Sequence, residues 1–248
     1  MASYRVIIMC AGVGERLRPL TYSSPKSLLE LDGKPLLAHF LEGLVYSEAD
    51  IKSVHIVVGH LRKRFKKLIG SEYRGLKIRY LNNPLYKITG AAQSLYLAGP
   101  ILQKNATLIA DGDHYLHPDL FKKLMQSEYD NCTLVDPDLS NMSHPEHAEL
   151  AYGYEGLLSM IKFLPPFQDN PIGKAMVIFK LSKNASNSLF TFLEKHLLED
   201  GPAIKETIDP LNKLMKIHDV HYHLTEGLES IEIDFFDDYV RAKELEFS

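Results

Sequence analysis

Short apolar runs and amphipathic stretches of helical period take turns along this chain. Arg5–Met9 reads as a strand, Leu36–Tyr46 as a helix, Ser53–Val58 as a strand and Leu61–Ile69 as a helix. Leu76–Leu81 is a further strand, Ala91–Ala98 a helix, and Ala106–Ala110 a buried strand bounded by polar residues. Strand–helix alternation of this kind predicts an α/β fold with a Rossmann-like, doubly wound, mostly parallel sheet. After residue 126 the pattern is less regular. Thr133–Val135, Glu149–Tyr152, Leu158–Phe163 and Ala175–Leu181 read as strands, interrupted by the polar loop Asp136–Glu146. Helices are expected over Ser188–Leu198 and Ile204–Met215, a strand near Val220–Leu224, and an amphipathic closing helix over Phe235–Leu245. With no repeat, low-complexity tract or obvious linker, residues 1–248 are expected to form one domain with two halves, 1–125 and 126–248.

Composition changes this picture little. A length of 248 residues, 45% hydrophobic and 24% charged, suits a globular chain with a substantial core. A net charge of −4 gives no overall pull toward nucleic acid or an anionic membrane. Two separated cysteines, Cys10 and Cys132, suggest reduced thiols and a cytoplasmic setting. Neither a membrane span nor a signal peptide is expected, because the apolar runs are too short.

The chemistry concentrates after the first strand, in Met9-Cys10-Ala11-Gly12-Val13-Gly14-Glu15-Arg16-Leu17-Arg18-Pro19-Leu20-Thr21, with Pro25-Lys26 downstream. Gly12 and Gly14 let backbone N–H groups approach an anion, and Arg16, Arg18 and Lys26 add fixed positive charge nearby. Such a turn suits a polyphosphate better than a neutral ligand. A dinucleotide fingerprint fails because Leu17 stands where the third glycine belongs. A P-loop fails because Gly33-Lys34 and Gly173-Lys174 precede Pro35 and Ala175 rather than Ser or Thr. In doubly wound sheets ligands gather at the carboxyl ends of strands, where this turn and Asp111-Gly112-Asp113 both fall.

The segment from Gly12 to Lys26, extended by Leu29–Leu37, resembles the signature of nucleotidyltransferases that join a nucleoside triphosphate to a phosphorylated small molecule. That family includes the sugar-1-phosphate enzymes and the bacterial phosphocholine cytidylyltransferases; the likeness covers most of the chain, with a divergent stretch from about Ser127 to Leu189. It implies a nucleotidyltransferase fold of the GT-A-like kind, a nucleotide-binding first half, a smaller mixed acceptor-binding second half, and Mg²⁺ as cofactor. Lys26 would act at the α-phosphate and Arg16 at the β- and γ-phosphates, with Ala11, Gly12 and Gly14 against the nucleotide. Ala110–Leu116 resembles the metal-binding strand end of the phosphocholine enzymes, where the second Asp is the ligand. Asp113 therefore stands ahead of Asp111. Ser230-Ile231-Glu232-Ile233-Asp234 resembles the family's late E-I-D element, whose Asp completes the metal site; the plain structural alternative for Asp234 is a helix N-cap. Ser94–Leu97 is similar to the S-L-Y-L helix of the phosphocholine enzymes, and Gly90–Gln93 to the G-x-A-Q of pyrimidine-using sugar enzymes. Asn83, Gly90, Gln93 and Ser94 are thus candidates for holding a pyrimidine base.

The acceptor side is less defined. A quaternary ammonium wants an aromatic cage, best made with tryptophan, and the chain has none. Rough matching puts Ala148 and Lys180 where the phosphocholine enzymes carry cage aromatics, and Phe163-Leu164-Pro165 does not reproduce the E-K-P element of the sugar enzymes. Glu149, Tyr152, Lys162 and Lys180 are the acceptor candidates. The basic run Arg62–Lys67 reads as a solvated helical face rather than a nucleic-acid patch. His218, His221 and His223, and the pair His144 and His147, lack any zinc-ligand spacing. The expected activity is a Mg²⁺-dependent cytidylyltransferase coupling CTP to a phosphocholine-, phosphoethanolamine- or aminoethylphosphonate-like acceptor. A UTP- or dTTP-dependent sugar-1-phosphate transferase and a non-catalytic nucleotide sensor are the alternatives; no nucleic acid or membrane partner is expected.

Overall fold

The computed structural model describes residues 2–140, 142, 144–163, 170–200, 206–245 and 247. Strand β1 (Tyr4–Cys10) leads through the glycine turn to α1 (Leu20–Ser23), the small hairpin β2 (Glu30–Leu31) and β3 (Lys34–Pro35), then α2 (Leu36–Tyr46). Next come β4 (Ile51–Val58), α3 (Lys63–Leu68), β5 (Glu72–Tyr73), β6 (Leu76–Asn82), α4 (Ala91–Tyr96), α5 (Gly99–Leu102) and β7 (Ala106–Asp111). The second half holds β8 (His114–Leu116), α6 (Pro118–Met125), β9 (Cys132–Asp136), β10 (Glu149–Tyr154), β11 (Leu157–Phe163) and β12 (Gly173–Leu181). It ends with α7 (Lys183–Asp200), α8 (Ile208–Met215), β13 (His221–Leu224), β14 (Ser230–Glu232) and α9 (Phe236–Ala242).

β1 is apolar on both faces because both are covered. Val6, Ile8 and Cys10 join one core with Phe40 and Leu41 of α2, Phe65 of α3 and Phe121 of α6. Ile7, Met9 and Ala11 join a second core with Leu95 of α4, Leu102 of α5, Leu189 and Leu193 of α7, and Leu211 of α8. A strand buried on both faces reads as a continuous apolar run, which is why it was legible.

The main sheet runs β10-β11-β13-β9-β12-β7-β1-β4-β6-β5. β7, β1, β4 and β6 are parallel, as expected for the first half. The sheet as a whole is mixed, which corrects the expectation of a mostly parallel one. β12 lies antiparallel to β7 and β9, and β10 antiparallel to β11 and β12. β11 and β13 pair antiparallel and β13 runs parallel to β9, so these five strands close a small barrel beside the parallel layer. A tight hairpin dictates part of this: Glu155 (φ 48°) and Gly156 (φ 83°) both adopt the left-handed conformation of a two-residue turn, which joins only antiparallel strands.

Several bounds differ from the pattern reading. The helix expected over Ala91–Ala98 ends at Tyr96, with Gly99–Leu102 following as a separate turn. The helix over Leu61–Ile69 shortens to Lys63–Leu68, and the one expected from Ile204 begins at Ile208, residues 201–205 lying outside the described set. α6, β8 and β14 were not anticipated. α6 starts at Pro118, with His117 Nδ1 accepting the Asp119 N–H at 3.2 Å, and buries Leu120, Phe121, Leu124 and Met125. Among the described residues no helix is long and apolar enough to cross a membrane.

Candidate active site

A cleft of about 580 Å³ opens where β1 and β7 end, and its lining draws on both halves of the chain. The glycine turn forms its floor. Gly14 sits at φ 66°, and a Cβ there would come 2.9 Å from Thr21 Cγ2, so the left-handed turn and its packing both call for glycine. Thr21 Oγ1 donates to the Gly14 carbonyl at 2.7 Å, and the His60 N–H donates to the Ala11 carbonyl at 3.0 Å. A Cβ on the exposed Gly12 would meet nothing within 4 Å, so its backbone faces open space. Leu17 is fully buried and fixes the far end of the turn, leaving Arg16 outward.

A second anchor comes from the last part of the chain. β14 pairs antiparallel with β8, setting Glu232 opposite His114, and the Ile233 N–H donates to the Asp113 carbonyl at 3.0 Å. Ile231 and Ile233 are buried in a third core with Leu17, Leu31, Tyr115 and Tyr239. Alternation then turns Glu232 and Asp234 the other way, into the cleft. The N-terminus of α9 is capped by Asp238, whose Oδ2 accepts the N–H groups of Asp234 at 3.1 Å and Phe235 at 2.8 Å. The capping alternative for Asp234 therefore falls away, and its carboxylate is left for the cleft.

There the charges converge. Lys26 Nζ lies 2.6 Å from Asp113 Oδ2 and 2.8 Å from Asp234 Oδ1, and Arg16 Nη2 is 3.0 Å from the same Asp234 oxygen. Arg16 also lies over the Phe235 ring, 4.7 Å from its centroid. Burial alone would raise the Asp234 carboxyl, but Lys26, Arg16 and Lys174 outweigh it and hold the group down at about 2. Burial opposes the charge of Lys26, and Asp113 and Asp234 together reverse that and raise its pKa. Further carboxylates crowd the same space. Burial and then Asp113 push Asp111 well above its ordinary value; burial and then Glu232 do the same to Glu149, and burial raises Glu206. Neighbouring Cys10 is a buried thiol raised to about 12 mainly by burial, which makes it a packing group and a poor nucleophile.

The geometry sorts the expected residues. Lys26, Arg16, Ala11, Gly12, Gly14, Asn83, Gly90, Ser94, Asp111, Asp113, Glu149 and Asp234 all line the cleft. Asn83 shapes its wall: the buried amide donates to Thr89 Oγ1 at 3.2 Å and Ser94 Oγ at 3.1 Å, and Asn83 Oδ1 accepts the Leu85 N–H at 2.9 Å. Gln93 is outside the lining. Three acceptor candidates also lie outside that lining. Lys180 is 2% exposed and donates to the Ser127 carbonyl at 2.8 Å, a buried position less favourable for its charge. Lys162 and Tyr152 lie outside the lining, with the Lys162 ammonium 5.3 Å from the Tyr152 ring centroid. Glu232 was missed. With Asp113 and Asp234 it forms a group of three carboxylates whose nearest oxygens lie within 4.8 Å of one another, a place that Asp111 does not share. Its signal was present in the sequence: in a strand, Glu232 and Asp234 two residues apart face the same side. Glu206 and the cleft-lining His147 were not singled out for this site either.

The Nucleotidyl transferase family matches residues 5–155, more than half of the 248, and the chain belongs to that family of enzymes. Among curated relatives, the choline-phosphate cytidylyltransferase of Streptococcus pneumoniae is 28% identical over 251 aligned residues, covering 97% of each chain. The CMP-5'-(3-aminopropyl)phosphonate synthase of Streptomyces rubellomurinus is 36% identical over 120 residues, which is 48% of this chain and 19% of that protein's length. The solved structure of the CTP:phosphocholine cytidylyltransferase from Streptococcus pneumoniae superposes with a TM-score of 0.75 at 24% identity, over 98% of this chain and 99% of that one. The α/β fold with its mixed sheet is thus that of a nucleotidyltransferase.

Proposed function

We propose that this chain is a Mg²⁺-dependent cytidylyltransferase that couples CTP to a phosphorylated small acceptor bearing an amine, giving a CDP-activated product and pyrophosphate. The observation that carries this reading is the meeting of Lys26 with Asp113 and Asp234 directly beside the glycine turn. An acceptor phosphate oxygen attacks the α-phosphorus, forming one P–O bond as the α–β bridging P–O bond breaks and pyrophosphate leaves. Such a reaction asks the protein mainly for alignment and charge stabilisation. The Gly12–Gly14 backbone and Arg16 hold the outer phosphates, and Lys26 meets charge building at the α-phosphate. Asn83 orders the loop that carries Gly90 to the base. Asp113, Asp234 and Glu232 are the residues that would hold Mg²⁺: all offer hard oxygen donors, and Asp113 Oδ1 is buried with no hydrogen-bond partner among the described residues. When bound, the ion supplies neutralisation of phosphate charge. Glu149 and Glu206 line the cleft beyond that cluster, where carboxylates suit the ammonium of an aminoalkyl phosphate or phosphonate better than a neutral sugar. The two relatives, named for choline phosphate and an aminopropylphosphonate, support the same choice.

The test is pyrophosphate release with each common triphosphate against phosphocholine, phosphoethanolamine, aminoethylphosphonate and hexose-1-phosphates. CTP with an amine-bearing acceptor is the expected pair. Preference for UTP or dTTP with a hexose-1-phosphate would overturn the proposal, and turnover with no pair would make the chain a nucleotide sensor.

A further inference from the structure

Lys26 occupies the position in which Asp113 and Asp234 would hold a cation. Its Nζ bridges the two, 2.6 Å from one and 2.8 Å from the other, and those carboxylates belong to the one three-carboxylate group found among the described residues. A divalent ion with oxygen ligands at about 2.0–2.1 Å would need the same oxygens and the same space. Resting on the proposed function, the reaction also asks Lys26 to reach the α-phosphate. One ammonium cannot serve both places at once.

We infer that Lys26 is a place-holder cation. In the free enzyme it neutralises Asp113 and Asp234 and keeps the affinity for a free divalent ion low. It leaves them when a polyphosphate on the Gly12–Gly14 turn offers new oxygen partners, so ion and nucleotide load together. Arg16 does not share this part. It touches Asp234 at 3.0 Å but has no ion pair with Asp113, and its side chain is 44% exposed against 22% for Lys26. The guanidinium touches one carboxylate and is the better screened by water and salt, whereas the less exposed ammonium touches both.

The experiment is a titration of the full chain with Mn²⁺ in the absence of nucleotide and acceptor, following the signal of free Mn²⁺ by electron paramagnetic resonance. Lys26→Met is expected to bind Mn²⁺ at least about tenfold more tightly than the wild type, because the contact charge competing for the same oxygens is gone. Arg16→Gln should gain less than about threefold, and adding Asp113→Asn to Lys26→Met should cancel the gain. Lys26→Ala removes the same charge with a shorter side chain and serves as the second variant should Lys26→Met fail to melt cooperatively. Equal Mn²⁺ affinity in the wild type and the Lys26 variants, or an equal gain from Arg16→Gln, would overturn the place-holder role. Because no nucleotide is present, this outcome is independent of which triphosphate the enzyme turns over.

Discussion

His55 gives a prediction whose size follows from its surroundings. It sits on β4, 6% exposed, with Ser53 Oγ 2.9 Å from its Nε2 and no partner for Nδ1 among the described residues. Burial, then the charges of Arg5 and Arg79, lower its pKa from 6.5 to about 4. The folded state therefore resists protonating this ring while the unfolded chain accepts the proton readily. Above the unfolded value both states are neutral and stability is at its full level. As pH falls below 6.5 the unfolded state alone gains a proton and stability is lost, until the ring also protonates in the folded state near 4. Linkage over that interval gives a loss of about 2.4 kcal/mol between about pH 7 and about pH 4.5. Other groups titrate in the same range, so the informative quantity is a difference. Urea unfolding of the wild type and of His55→Gln at both pH values should show the variant losing about 2 kcal/mol less than the wild type. Any static cost of the substitution cancels in the comparison. If both proteins lose stability in parallel, His55 is not held neutral by its surroundings and the burial argument is wrong.

Two further outcomes follow from the site and its scaffold. Glu232→Gln should raise the Mg²⁺ concentration for half-maximal turnover about tenfold, whereas Asp113→Asn and Asp234→Asn should each remove more than about a hundredfold of kcat; a Glu232→Gln midpoint equal to that of the wild type would take Glu232 out of the metal group. A Cβ at Gly112 would stand well inside contact distance of Cys10 Sγ and 3.1 Å from the Met9 carbonyl, so Gly112→Ala should cost about 1–3 kcal/mol in denaturant titration. Cys10→Ala in the same chain should recover part of that loss, and additive costs would contradict the clash.

What could be read from the sequence follows the kind of physical signal involved. β1, β4 and β7 were visible because a strand covered on both faces cannot hide its composition. The charged part of the site was visible for a different reason, since Gly14, Arg16 and Lys26 lie close together in the chain and their spacing survives without the fold. A mixed second half was implied by the resemblance, but the extent of the mixed sheet was not visible in the apolar pattern, because strand direction is set by connections such as the Glu155-Gly156 turn. Lys180 shows the limit of matching by position: it lies on the expected strand, but its ammonium donates to the Ser127 carbonyl and it is not among the residues lining the cleft. Glu232 went unweighed because the late segment was read for its Asp alone, although strand alternation already put Glu232 and Asp234 on one side.

The charged residues of the cleft are placed by apolar neighbours more than by one another. The contact between Lys26 and Asp234 closes a loop of 208 residues, and an exchange of charges across so long a loop would not by itself offset the entropy of closure. What brings the ends together is the third core, in which Leu17 from the glycine turn meets Tyr115 from β8 and Ile231, Ile233 and Tyr239 from the last segment. Each fully buried Leu or Ile there contributes about 1.5–3 kcal/mol, before the entropy of ordering is counted. Leu17 follows Arg16 in the turn, and Ile231 and Ile233 alternate with Glu232 and Asp234 in the last segment, so these three anchors each carry a cleft-facing charge beside them. Carboxylates crowded to the point that Asp111 and Glu149 are driven well above their ordinary pKa oppose folding; they do not drive it. Replacing Asp113 by its amide therefore removes a repulsion toward Asp111 and Glu149 along with an ion pair, whereas replacing Asp234 gives up a net attraction to Lys26, Arg16 and Lys174; both leave the apolar anchors untouched. That is the physical reason the expected loss of turnover in those variants should arrive without loss of the fold.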